Sequence, residues 1–237
     1  MRKLIKVLGI YIFVISRILA FDMNTTIFDQ KIDDGNGYKE IVFKNKSIEN
    51  IRYKVKVLKS DEKNKDMSKW VEVSPIVLNV QPLSEKVLKI FAKAPKGIKD
   101  DEYSFMLKIE PIIIPTISKA KEGGIKGSSS LAFVPIIKMF GYTGDPNFQK
   151  NINLENINLK KIDKKYILTG TLINNSYAGK NIGFNFIGDN DFIVDGKWVG
   201  RLRPNFKEEI SIKVLDKFKE ISVYDAESNK EIKRISI

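Results

Sequence analysis

Apolar and polar residues alternate with period two through most of the chain, and this alternation predicts strands. Ile51-Arg-Tyr-Lys-Val-Lys-Val57 is the cleanest run. Ile51, Tyr53, Val55 and Val57 fall on one face, and Arg52, Lys54 and Lys56 on the other. Tyr103, Phe105, Leu107 and Ile109 share a face in the same way, as do Tyr166, Leu168, Gly170 and Leu172, and again Ile210, Ile212 and Val214. Turn-forming clusters separate the runs: Asp33-Asp-Gly-Asn-Gly37, Asn45-Lys-Ser47, Ala94-Pro-Lys-Gly97 and Asn174-Asn-Ser176. Beyond residue 20 no long stretch carries helical periodicity. The expected fold class is therefore all-β, built as antiparallel sandwiches.

Residues 1–20 follow another pattern. Arg2, Lys3 and Lys6 precede the mostly apolar stretch Val7 to Ser16, and Ala20 is a suitable cleavage residue. This is the layout of a secretory signal peptide, although Arg17 and Ile18 depart from the usual cleavage region. The stretch falls short of the ~20 apolar residues that span a bilayer, so no membrane span is expected. A buried N-terminal helix and an uncleaved anchor are the alternatives.

The remaining chain reads as one module written twice. Asn45-Lys-Ser-Ile-Glu-Asn-Ile-Arg-Tyr-Lys-Val55 matches Asn174-Asn-Ser-Tyr-Ala-Gly-Lys-Asn-Ile-Gly-Phe-Asn-Phe186 once two inserted residues are allowed. Val80-Gln-Pro82 followed by Lys86 to Ile90 matches Leu202-Arg-Pro204 followed by Ile210 to Ile212 more loosely. Gly141-Tyr-Thr-Gly-Asp-Pro-Asn147 is rich in turn formers and marks the boundary. The predicted organisation is a signal peptide (1–20) and two tandem immunoglobulin-like β-sandwich domains (21–144 and 145–237).

Composition narrows the chemistry. The 237 residues include neither Cys nor His. Disulfides, thiolate nucleophiles, Ser-His-Asp triads and thiolate or imidazole metal sites are excluded. The formal charge of +12 comes from lysines scattered along the chain, without a block of like charge. Scattered lysines fit solvated positions, and no nucleic-acid partner is expected. Asp189-Asn-Asp191 with Asp195-Gly196 resembles the start of a calcium loop, but Gly200 stands where the loop requires Glu, so a turn is expected. Trp70 and Trp198 are expected in sandwich cores. The Asn-x-Ser and Asn-x-Thr triplets at Asn24, Asn45 and Asn174 are read as turns. Neither a phosphate loop nor a carboxylate pair suited to glycoside chemistry is present. No cofactor is implied, and the expectation is a non-enzyme.

The order of features in the N-terminal domain resembles the periplasmic chaperones of the chaperone–usher pilus pathway, the PapD-like family. Ile27-Phe28-Asp29 resembles the family's first strand, and Tyr38 to Ser47 with Ile51 to Val57 its second and third. Trp70 to Pro75, Val80 to Ile90 and Asp101 to Pro111 resemble the fourth, fifth and sixth, and Leu131 to Phe140 the seventh. The resemblance implies a periplasmic chaperone that caps pilus subunits by donating a strand and delivers them to an outer-membrane usher. It implies that Lys138, in Ile137-Lys-Met-Phe140, binds the subunit's C-terminal carboxylate. A strand-end lysine with its head in solvent is the alternative. The family's second cation, a first-strand Arg, falls here at Thr25, which leaves Arg52, Arg201 and Arg203 as candidates. The donated strand would carry Leu131, Phe133 and Pro135, after a Lys-, Gly- and Ser-rich connection between Ile112 and Ser130. Leu131 to Ile137 is apolar throughout, which also suits a strand buried in its own core. A self-capped dimer through this strand stays open. The competing class is an exported immunoglobulin-like binding or structural protein, such as an adhesin module. An exported carbohydrate-active protein is the remaining option.

Overall fold

The computed structural model describes residues 21–35, 37–62, 65–113, 133–163 and 165–237. The signal-peptide reading of 1–20 and the donor-strand residue Leu131 lie outside them. The described residues form two compact units. The first comprises the described residues up to Lys96 and between Tyr103 and Gly141, and the second those of Gly97–Glu102 and Tyr142–Ile237.

In the first unit, one sheet has the order β1 (Phe21–Met23), β3 (Gly37–Asn45), β7 (Glu85–Ala92), β5 (Val71–Ser74). The facing sheet has the order β2 (Asp29–Lys31), β9 (Ile136–Tyr142), β8 (Glu102–Pro111), β4 (Ile51–Leu58), β6 (Val77–Val80). Alternation dictates the core. Ile41, Phe43, Leu88 and Ile90 point inward from the first sheet and meet Val55, Leu78, Phe105, Leu107 and Ile109 from the second, all of them buried. Phe43 and Tyr53 touch across the sandwich with ring centroids 6.3 Å apart. Burial pushes the Tyr53 hydroxyl up to about 12.

In the second unit, β10 (Ile152–Ile162), β11 (Lys165–Asn174) and β14 (Phe206–Val214) form one sheet. The other has the order β13 (Ile193–Leu202), β12 (Lys180–Ile187), β15 (Glu220–Asp225), β16 (Glu231–Ser236). A four-residue helix, α1 (Phe148–Asn151), leads into β10 and is capped by the Asn147 side chain. Leu168 and Leu172 of one sheet pack against Ile182, Phe184, Phe186, Ile221 and Val223 of the other. Each unit is an immunoglobulin-like β-sandwich.

The repeated Asn-x-Ser triplets build the same hydrogen-bonded clasp in both units. Asn45 Nδ2 donates to the carbonyls of Glu49 (2.7 Å), Val80 (3.1 Å) and Gln81 (3.0 Å). Its Oδ1 accepts from the Ser47 amide and hydroxyl. Asn174 Nδ2 donates to the carbonyls of Ala178 and Arg203, both at 3.0 Å, and its Oδ1 accepts from the Ser176 amide and hydroxyl. Leu83 and Asn205 follow the two prolines with left-handed backbones, φ 50° and 51°. Each donates its amide to the clasp serine's carbonyl, Ser47 or Ser176. The clasp satisfies backbone groups where the chain crosses from one sheet to the other.

Three details differ from the sequence reading. Strand structure at the N-terminus is split: β1 pairs with β3, β2 joins the opposite sheet beside β9, and Phe28 between them is buried. The last strand of the first unit is assigned from Ile136, just after Pro135, whose missing N–H cannot extend a ladder. Trp198 is 67% exposed, not in the core. Its neighbour Val199 turns inward to the core, so alternation along β13 turns Trp198 out. Trp70 is half-buried and packs edge-on against Tyr103.

Candidate functional site

β9 carries Lys138, and Phe133 and Pro135 lie just before it. The Pro135 carbonyl accepts from Ile109 N at 3.0 Å, so the approach to β9 already runs beside β8. On its other side lies β2, joined by the bond from Phe140 N to the Phe28 carbonyl at 2.9 Å. β2 has three residues against seven in β9, so it can pair with only part of that edge. The approach is apolar and uncovered: Phe133 is 80% exposed and Ile136 55%. Ile112 and Ile113, just beyond the end of β8, are exposed as well.

Lys138 lies on the same face of β9 as Ile136 and Phe140, by alternation. Its ammonium is 5.6 Å from the centre of the Phe140 ring. It is 2.7 Å from Asp61 Oδ1 and 2.8 Å from Glu62 Oε1, on the segment after β4. Burial works against the charge of Lys138, but the two carboxylates outweigh it and raise the pKa above the ordinary lysine value. Lys138 in turn holds the Asp61 carboxyl below its usual range, chiefly through their hydrogen bond. The lysine side chain is 27% exposed and its acidic partners more than half exposed. Lys138 thus holds two carboxylates of its own unit, one on Asp61 and one on Glu62. The Lys138 pairing joins residues far apart in sequence, and no local pattern announced it.

The other candidates are placed as follows. Thr25 Oγ1 accepts from Ile27 N at 3.1 Å, a local turn. Arg52 is exposed on β4, two strands from β9 in the same sheet. Arg201 and Arg203 belong to the second unit. Arg201 Nη2 donates to Glu102 Oε2 at 2.7 Å, and that oxygen also accepts from Gly179 N. Arg203 is exposed, and its carbonyl is held by the Asn174 clasp. Among the described residues, no helix is long and apolar enough to cross a membrane.

No family model matches the sequence. No curated protein matches it either. Among solved structures, the chain is similar to the Escherichia coli chaperone DraB, at 15% identity over 92% of this chain and 96% of that one, with a TM-score of 0.45. It is similar to the CupB2 chaperone of Pseudomonas aeruginosa, at 12% identity over 89% and 96% of the two chains, with a TM-score of 0.43. The chaperone–tip subunit complex CsuC–CsuE, from archaic chaperone-usher pili of Acinetobacter baumannii, matches at 16% identity over 92% and 97%, with a TM-score of 0.43. Likeness at this level assigns no activity to the chain.

Proposed function

We propose that this protein is a non-enzymatic periplasmic chaperone for pilus subunits. It holds an incomplete, exported β-sandwich subunit by adding the β9 edge to that subunit's sheet. The observation that carries this reading is the uncovered apolar approach to β9 at Phe133 and Ile136. Exposed apolar side chains beside an incompletely paired strand edge are a liability in a lone protein. They suit a protein that lends backbone hydrogen bonds and alternate side chains to a partner. Phe133 fills a pocket of the subunit, Pro135 keeps the edge from self-pairing, and Leu131 extends the donated stretch. Lys138 binds the subunit's terminal carboxylate in exchange for Asp61 and Glu62, which sets the register. Arg52 is the candidate second cation in the same unit. An outer-membrane usher would receive the complex.

The test is co-expression with small β-rich exported proteins encoded beside this gene. A one-to-one complex is expected, with recovery reduced by Phe133→Asp and by Lys138→Ala while both variants keep the wild-type melting profile. Wild-type recovery with both variants would sink the site. A stable monomer that binds none of these proteins would favour an exported binding or structural module.

A further inference from the structure

The two units differ along one edge of the sandwich. In the first, β5 pairs with Lys89–Ala92 of β7 and closes that side. Leu88 and Ile90 of β7 are fully buried. The shared proline and left-handed residue, Pro82-Leu83 and Pro204-Asn205, align β7 with β14 and set Lys89–Ala92 against Ser211–Val214. Among the described residues, the second unit runs from β13 directly into β14 without a counterpart of β5. Among the described residues, β14 ends its sheet. Ile210 and Ile212, the counterparts of Leu88 and Ile90, are only half-buried.

Where the strand is missing there is a groove of about 590 Å³. It is lined by Ile210, Ile212, Trp198, Lys165, Lys197 and Lys213, among others. Its charge is lopsided. Lys165 and Lys213 both line the groove, and the charge of Lys165 depresses the Lys213 pKa. Lys197 is 3.0 Å from Asp195, whose other oxygen accepts from Leu215 N. The clustered lysines call for an anion, the half-buried isoleucines for apolar side chains, and the free strand edge for a backbone in extended form.

We propose that the β14 edge seats a short extended segment of another protein, one that alternates apolar and acidic residues, in the place that β5 takes in the first unit. Val71-Glu72-Val73 of β5 already shows this alternation, with Glu72 opposite Phe91, the counterpart of Lys213. Charge selects a foreign partner. A second copy of this chain brings a formal +12. Residues 114–132 carry Lys119, Lys121 and Lys126 against Glu122 alone, and residues 1–20 carry basic charge only. Exposed Trp198 at the groove supplies a flat apolar surface for one side chain of the segment.

The test uses the full chain and a fluorescent peptide of roughly eight residues alternating Val and Glu, the length of an ordinary strand. Saturable binding is expected, weakened about tenfold by Lys213→Glu, by Lys165→Glu, and by N-methylation of alternate peptide amides. Added salt should weaken it further. Phe133→Asp should leave it unchanged, which separates this edge from that of β9. The proposal is overturned by absent binding, by equal binding of a Val–Lys peptide, or by indifference to both lysine variants. It is also overturned if Phe133→Asp abolishes binding, or if sedimentation shows that β14 pairs with a second copy.

Discussion

The two sandwiches share one frame and differ at their edges. β3, β4, β7, β8 and β9 of the first correspond to β11, β12, β14, β15 and β16 of the second, in the same order within each sheet. The same Asn-x-Ser clasp ties each sheet crossing. What changes is what borders the frame. The first unit adds β5 beside β7 and β2 beside β9. A long connection, of which Ile112, Ile113 and Phe133–Pro135 are described, joins β8 to β9, whereas β15 and β16 meet through a short turn after Asp225. Core chemistry is thus duplicated while edge chemistry is not, and a specialised role is to be sought at the edges.

The duplicated clasp gives the largest expected effect. Asn174 is fully buried and holds two carbonyls and a serine. Asn174→Ala strands these groups, each worth about 1–2 kcal/mol, for a total of about 4 kcal/mol. Asn45→Ala should cost a comparable amount in the first unit. Denaturant unfolding read by hydrogen exchange checks the pairing: each variant should lower protection in its own unit only. Equal loss in both units would mean that the sandwiches unfold as one body and the comparison by units fails.

Next comes an interaction of the second unit. Lys180 Nζ lies 2.9 Å from Asp225 Oδ2, and both side chains are largely buried. The matching position in the first unit is Glu49, which is exposed. Lys180→Ala leaves the Asp225 carboxylate buried without its lysine, at a cost of about 3 kcal/mol. Burial alone would raise the Asp225 pKa, but Lys180 and the hydrogen bonds from Glu227 and Ser228 bring it below the usual value. A carboxyl depressed in the folded state stabilises above its unfolded pKa of about 3.9, and this contribution fades as pH falls through the folded value. The wild-type advantage over Lys180→Ala, measured by urea unfolding, should therefore be full at neutral pH and shrink in acid below pH ~4. A gap that widens in acid would refute the assignment.

Much of the fold was legible because period-two alternation encodes a sandwich face directly. Tyr53 and Val55 in β4, and Phe105, Leu107 and Ile109 in β8, are buried where the alternation set them. The local half of the clasp was legible as a repeated Asn-x-Ser turn, but its bonds to the Val80, Gln81 and Arg203 carbonyls reach across the fold and were not. β13 was opaque: Ile193 to Leu202 does not alternate, and its register slips against β12 at Gly183, opposite Trp198. The switch of sheet between β1 and β2 leaves no local mark. Glu62, a partner of Lys138, lies 76 residues away, and only the folded chain brings them together. The absence of a β5 counterpart is a comparison of two folded edges, which a one-dimensional pattern does not display.

Smaller effects sharpen the edge comparison itself. Ile90 sits beneath β5 and is fully buried, so Ile90→Ala should cost about 3 kcal/mol. Ile212, its uncovered counterpart, should cost about 1 kcal/mol on the same change, because part of its surface is already in water. Equal costs in thermal unfolding would mean that the second unit's edge is closed in solution. The smallest expected effect is at Phe133. A residue 80% exposed has little transfer energy to lose, so Phe133→Asp should change stability by less than ~0.5 kcal/mol. The same change puts a charge where a bound subunit would need an apolar side chain, and so removes binding while leaving the fold intact. Ile90→Ala should do the reverse, lowering stability while the surviving folded fraction binds normally. If Phe133→Asp instead destabilises the first unit by as much as Ile90→Ala, then Phe133 packs into its own sandwich in solution. The β9 edge would then be closed, and no strand would be available to lend.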